Sequence, residues 1–314
     1  MDEQKSEDME KKPFSQLLFS GHKAPPLWRR NHFRLVSEVH VPHEVDQIKD
    51  LEIRDSDVFA VTFPKSGTIW MQQILLLLES KGDLRSANMR TIYTSSDAVG
   101  WIELKGQPER FTREESPRMR VTHLPFELMP TALTQRKGKV IYVARNPKDI
   151  LVSFYYFHKI AKFLETPKSF DDFFDKFMNG EVLGGSWFEH IKSWYLHKDE
   201  VNMLFITYEE MIMDLTSAVK KMADFLSIEL TEDEVQQVVK HSTFKNMKEM
   251  SKANYKRAHP NLIDHKEGTF MRKGTIGDWK NHFTVTQNER FDKVFEREMK
   301  DVPVSFIWDI RDTS

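Results

Sequence analysis

The apolar residues of this chain come in two patterns that alternate along it, short unbroken runs and stripes at helical spacing. Val58-Phe59-Ala60-Val61 is a run of the first kind, as a strand covered on both faces requires. It leads through Pro64-Lys65-Ser66-Gly67 to Ile69, Trp70, Ile74, Leu77 and Leu78, which fall on one side of a helix. The order then repeats. Lys139 to Ala144 reads as a second buried strand, followed by a polar loop over Arg145 to Asp149 and a helix carrying Val152, Tyr155 and Tyr156. Val201 to Thr207 reads as a third, ending at Tyr208-Glu209-Glu210 before a helix over Leu215 to Leu226. Arg118 to Thr122 is a weaker strand that ends at His123-Leu124-Pro125. Strands alternating with helices predict an α/β fold with a central parallel sheet flanked by helices. Ligands of such sheets bind beyond the carboxyl ends of the strands, where Lys65, His123, Arg145 and Tyr208 all fall.

The loop Lys65-Ser66-Gly67-Thr68 has the makings of an anion cradle. A strand that turns into a helix N-terminus leaves backbone N–H groups unpaired, and the helix dipole adds partial positive charge. Lys65 adds a full charge, Gly67 permits close approach, and the Ser66 and Thr68 hydroxyls can donate. Pro, Lys, Ser and Gly also make ordinary turns; the apolar strand before and the helix after favour the cradle. The architecture is therefore P-loop-like and nucleotide-binding. It lacks the G-x-x-x-x-G-K-[ST] pattern of nucleotidases, because Lys65 precedes the glycine.

Composition narrows the function. The chain has 314 residues, 39% of them hydrophobic, and no Pro/Gly/Ser-rich linker, so one domain is expected over 15–314 after a polar, disordered tail over 1–14. Forty-six Lys and Arg nearly balance 48 Asp and Glu, so any basic site is local and nucleic acid is not an expected partner. The absence of cysteine excludes disulfides and thiolate chemistry. Met1 to Lys12 has no apolar core, which argues against a signal peptide or membrane span and for a cytoplasmic protein. No spaced cluster of carboxylates or histidines suggests a metal.

Three motifs, in order, resemble those of cytosolic sulfotransferases: Thr-Phe-Pro-Lys-Ser-Gly-Thr-Ile-Trp (62–70), Arg-Asn-Pro-Lys-Asp (145–149) and Arg-Lys-Gly-Thr-Ile-Gly-Asp-Trp-Lys-Asn (272–281). That family moves a sulfuryl group from 3′-phosphoadenosine 5′-phosphosulfate (PAPS) to a hydroxyl or amine of a small lipophilic acceptor, leaving adenosine 3′,5′-bisphosphate (PAP), without a metal. The resemblance implies that Lys65, Ser66, Gly67, Thr68, Ile69 and Trp70 hold the 5′-phosphosulfate end, with Trp70 near the adenine. It implies that Arg145, Ser153, Arg272, Lys273 and Gly274 hold the 3′-phosphate, a dianion suited to the arginine fork. Tyr208, Ser242, Thr243, Phe244, Met247, Phe270 and Met271 correspond to positions around the adenine and 3′-phosphate. For Arg145 an ion pair with Asp149 is the competing assignment, and for Arg272-Lys273 a solvated charge pair.

Thr-His-Leu-Pro (122–125) resembles the family's catalytic segment and makes His123 the expected base, since an imidazole can take a hydroxyl's proton at neutral pH. The implied reaction is direct in-line displacement, with Lys65 neutralising the leaving group and Ser153 restraining Lys65 until an acceptor arrives. Trp101, Leu104 and Phe157 are expected to line the acceptor pocket beside His123. Two positions depart from the family: Ile69 replaces a common threonine, and Val121 stands where phenol-type members carry lysine. Residues 68–75 and 185–198 look most like amine-type members. The polar stretch Lys252 to Thr269 is a candidate lid, and Lys280, Thr284, Val285 and Glu289 match the family's dimer motif, so a homodimer is expected. That motif also leads into a predicted helix over 286–300, with Thr286 as cap and Glu289 completing a capping box. A nucleotide kinase and a non-catalytic PAP-binding protein are the rival readings.

Overall fold

A computed structural model describes residues 24–89, 99–250, 254–256, 258 and 260–313. The expected tail over 1–14 and part of the candidate lid, including Lys252 and His259, lie outside them. Strands β1 (Leu27–Arg30) and β2 (Phe33–Val36) form an antiparallel hairpin. The main sheet holds β3 (Val58–Thr62), β4 (Gly100–Trp101), β5 (Met119–Thr122), β6 (Lys139–Ala144) and β7 (Met203–Thr207), all parallel and in the order β4-β5-β3-β6-β7.

Side chains alternate across this sheet, so each unbroken apolar run supplies two faces. Phe59, Val61, Val140 and Tyr142 enter one core, and Val58, Ala60, Ile141 and Val143 enter the other. The first core is closed by α2 (Pro147–Ile160), α3 (Phe170–Met178), α4 (Trp187–Tyr195) and α7 (Val285–Glu298), through Leu151, Phe154, Phe173, Trp194 and Phe291. The second is closed by α1 (Thr68–Glu79), α5 (Leu215–Leu226) and α6 (Glu232–Ser242), through Ile74, Leu77, Val219 and Val238. At the amino ends of the strands, Arg118 is fully buried with Asp57 in a two-pronged pair, at 2.8 Å from Nε and 2.5 Å from the terminal nitrogen. Such geometry offsets the cost of burying both charges.

Register sets the functional edge. Val61 pairs with both Thr122 and Tyr142, and Ala144 pairs with Thr207. The segments that follow, carrying Lys65, His123, Arg145 and Tyr208, therefore leave the sheet at one level.

Several predicted boundaries shift for local reasons. The loop predicted over Arg145 to Asp149 is mostly helix, because the Asn146 side chain caps α2 by accepting from the N–H groups of Lys148 (3.0 Å) and Asp149 (3.4 Å). The C-terminal helix starts at Val285 instead of Thr286. Its cap is Thr284, whose hydroxyl accepts from Gln287 N–H while the Gln287 side chain accepts from Thr284 N–H, so the capping box does not involve Thr286 and Glu289. β7 begins at Met203 and β5 at Met119, each later than the apolar pattern suggested.

Candidate active site

Two left-handed residues shape the loop between β3 and α1, Lys65 at φ +72° and Gly67 at φ +108°. A side chain at Gly67 would also begin 3.0 Å from the Tyr208 ring, so it would strain the backbone and press on that ring. Gly67 caps α1 with no side-chain hydrogen bond, which leaves the first-turn N–H groups facing the loop. Close by, Ser66 Oγ, Arg145 Nε and Arg272 Nε are buried without a hydrogen-bond partner. Buried donors are almost always satisfied. Three left open around one helix N-terminus fit an anionic group of more than one phosphate's reach.

The basic residues are positioned in different ways. The Arg145 guanidinium lies over the Tyr208 ring at 4.1 Å and donates to the Lys65 carbonyl at 2.7 Å. Asp149, its alternative partner by sequence, accepts instead from the N–H groups of Gly277 (2.7 Å) and Trp279 (3.0 Å), clamping the segment after Gly274 onto α2. Arg272 and Lys273 are both held by Asp278, at 2.6 and 2.5 Å, so Arg272 does not fit the competing assignment of a solvated pair, while Lys273 stays 47% exposed. At Gly274, with φ +63°, a Cβ would stand 2.1 Å from the Phe244 ring. Only glycine lets that segment pass.

A cavity of about 700 Å³ runs from this loop to His123. All the residues predicted for donor and acceptor line it except Ser66 and Ser242. The Ser242 hydroxyl turns back to the Val238 carbonyl (2.7 Å), and its own carbonyl accepts from Trp70 Nε1 (2.7 Å), so its place in the site is that of a brace for Trp70. Trp70 in turn meets the Tyr208 ring edge-on at 5.2 Å. Val121, the departure from phenol-type members, is fully buried in the second core.

His123 donates from Nδ1 to the Thr62 carbonyl at 2.6 Å. That bond fixes the tautomer with the proton on Nδ1 and leaves the Nε2 lone pair as the basic position. Burial pushes its pKa down to about 3, with smaller contributions from His190, His40 and Lys65, so the ring is neutral. Trp101 packs on it at 4.6 Å between centroids. Thr62 Oγ1 also meets Thr68 Oγ1 at 2.7 Å, which ties the imidazole to the first turn of α1.

Lys65 Nζ sits 4.1 Å from the centroids of both Phe157 and Phe270. Burial, then Arg145 and Arg272, lower its pKa to about 7. Phe270, expected near the adenine, also stacks on Tyr255 at 4.5 Å, so its ring belongs to the wall between donor loop and acceptor cavity.

Sequence reasoning missed His40, Glu103, Tyr255, Phe163 and Leu183, all of which line the cavity. Glu103 accepts from the His123 backbone N–H at 2.8 Å, and burial raises its pKa to about 7. Within the candidate lid, Leu262 and Asp264 are anchored by backbone bonds to Lys162 (2.9 Å) and Ile160 (2.7 Å) at the end of α2. No periodic signal marks these positions; only Glu103, an acidic residue between Ile102 and Leu104, stands out in sequence.

The sulfotransferase domain family model matches residues 55–303. The chain is 45% identical to the amine sulfotransferase of Oryctolagus cuniculus over 270 residues, covering 85% of this chain and 89% of that one. It is 42% identical to sulfotransferase 2B1 of Homo sapiens over 258 residues, covering 82% and 70%. The crystal structure of mouse sulfotransferase SULT7A1 complexed with PAP superposes with a TM-score of 0.73 at 30% identity, covering 88% of this chain and 96% of that one. Retinol dehydratase in complex with androsterone and inactive cofactor PAP, at 22% identity and a TM-score of 0.75, bears on the fold alone. The chain belongs to the sulfotransferase family and is a PAPS-dependent enzyme of it, with PAPS as co-substrate and PAP as product.

Proposed function

We propose that the protein sulfates a hydroxyl or amine of a small lipophilic acceptor by direct transfer, with His123 as general base. The observation that carries this is the shared cavity: a neutral imidazole with a fixed tautomer opens onto the same space as the cradle around Lys65. When bound, PAPS supplies the sulfuryl group and a good leaving group.

The chain's own residues then have distinct tasks. The N–H groups of Gly67 to Trp70 and the Ser66 hydroxyl receive the 5′ end, while Arg145, Arg272 and Lys273, steadied by Tyr208 and Asp278, receive the 3′-phosphate. His123 Nε2 takes the acceptor's proton as its oxygen or nitrogen forms the bond to sulfur. Negative charge on the donor favours the imidazolium that results, offsetting the burial that disfavours it in the free protein. Lys65, drawn from between its two rings, neutralises charge on the departing phosphate, with Ser153 on α2 lining its path. Trp101, Leu104 and Phe157 exclude water from the acceptor side.

Assaying PAP release against panels of phenols, steroids and aryl amines tests this reading directly. Turnover with at least one class, lost in His123→Ala, is the expected result; no turnover with any class in the presence of PAPS contradicts it. A homodimer through Lys280, Thr284, Val285 and Glu289 is part of the same proposal, supported by Val285, which is 76% exposed at the start of α7. Lys280 also pairs with Asp309 at 2.6 Å within the chain. A monomer mass by light scattering at micromolar concentration would remove the dimer.

A further inference from the structure

The position of the Lys65 ammonium carries information about the cavity as well as about the donor loop. Its Nζ lies over two phenylalanine rings at once, 4.1 Å from the centroid of each. Those rings, Phe157 and Phe270, stand at 87° with centroids 5.6 Å apart, so they form a corner that presents two π faces to one point. The corner is braced from behind: Phe163 meets Phe157 edge-on at 5.9 Å, and Tyr255 stacks on Phe270 at 4.5 Å. Negative ring faces held rigidly around one point make a site for an organic cation. In this chain a side-chain ammonium already fills it.

We propose that this corner is the acceptor's cation site: once the nucleotide draws Lys65 toward its phosphates, Phe157 and Phe270 receive the alkylammonium group of an amine acceptor. The proposal rests on the sulfotransferase reading above and narrows its acceptor class to lipophilic amines. Charge makes it conditional on the nucleotide. Lys65, Arg145, Arg272 and Lys273 line the cavity against Glu103, Asp149 and Asp278, while burial keeps the His40 and His123 imidazoles neutral. Alone, that set repels a cation. Two phosphate groups, each carrying about −1.5 to −2, reverse the balance.

Binding and reaction use different protonation states of the guest. The phosphates and ring faces favour the ammonium as the bound form, and it passes one N–H proton to water before its nitrogen attacks. The nitrogen then bonds to sulfur as the bond from sulfur to the phosphate oxygen breaks, and the electron pair leaves on that oxygen. His123 Nε2 takes the second N–H proton.

The test compares two probes of one shape, (3-hydroxyphenyl)trimethylammonium and 3-tert-butylphenol, at about pH 6.5, where a phenol keeps its proton. PAP affinity is measured first, and each probe is then titrated into the full chain with and without saturating PAP. The expected result is about tenfold tighter binding of the cation in the PAP complex, with no such preference when PAP is omitted. Phe157→Leu and Phe270→Leu should each bring the ratio of cation to 3-tert-butylphenol affinity close to one, whatever either does to the neutral probe, and Phe157→Tyr should retain the preference. If the neutral probe binds the PAP complex as tightly as the cation, or if both leucine variants keep the preference, the cation site is overturned and the sulfotransferase reading stands. If PAP itself does not bind, both fall.

Discussion

The two ends of the cavity are built from different materials. The donor end is mostly backbone and charge: a helix N-terminus, two positive φ angles, Lys65 and Arg145 just after strand ends, and Arg272 and Lys273 from the segment before Gly274. The acceptor end is mostly side-chain surface gathered from the β1–β2 hairpin, the edge strand β4, α2, and Tyr255, Ala258, Leu262, Ile263 and Phe270. Backbone geometry follows from local sequence and cannot drift far without losing the anion. A wall of apolar side chains can be rebuilt residue by residue, so the acceptor end is where members of one family can differ.

The largest effect that would break this contrast comes from His123, the proposed base at the acceptor end. His123→Ala should lower turnover by about 10²- to 10⁴-fold while PAP affinity stays within about twofold; a parallel loss of PAP binding would mean that the ring is structural. At the donor end the pattern reverses. Arg145→Ala removes a charged donor and should weaken PAP by about 1.5–3 kcal/mol, read by calorimetry, with the fold preserved by circular dichroism. Unchanged affinity would remove Arg145 from the 3′-phosphate site.

A smaller effect concerns pH. The Lys65 pKa is about 7 in the free protein and rises when phosphates replace its two rings, so the protonated form binds. PAP affinity should therefore be full between about pH 6, below which its phosphates take up protons, and pH 7, and fall by up to about tenfold per unit above that. Near pH 8, titrations in buffers of different ionisation enthalpy should show uptake of close to one proton. In Lys65→Met that uptake should vanish. The smallest change sharpens the comparison from the other side: Leu104→Ala should raise acceptor KM by a few-fold and leave PAP affinity untouched.

What the sequence disclosed follows the same division. The sheet, the cradle and the strand-end residues were readable because unbroken apolar runs and a Lys-Ser-Gly-Thr turn encode local geometry. His123 was readable because it follows a strand end and sits in a Thr-His-Leu-Pro segment that resembles the family's. His40, Tyr255 and Phe163 were not, since each reaches the cavity from an irregular segment whose path depends on packing, such as the bonds that tie Leu262 and Asp264 to the end of α2. The β1–β2 hairpin and the two-residue strand β4 are too short to leave a period. The misplaced cap of α7 shows the limit in small: Thr284 and Thr286 both offer a hydroxyl, and only the fold selects the one paired with Gln287.

The central claim is that one pocket grips the nucleotide and sets the base beside it. Titrating PAP into the purified chain by calorimetry, with wild type and His123→Ala in parallel, tests it most directly. The account predicts one site per chain and matching affinity in the two proteins; absence of binding in the wild type would contradict it.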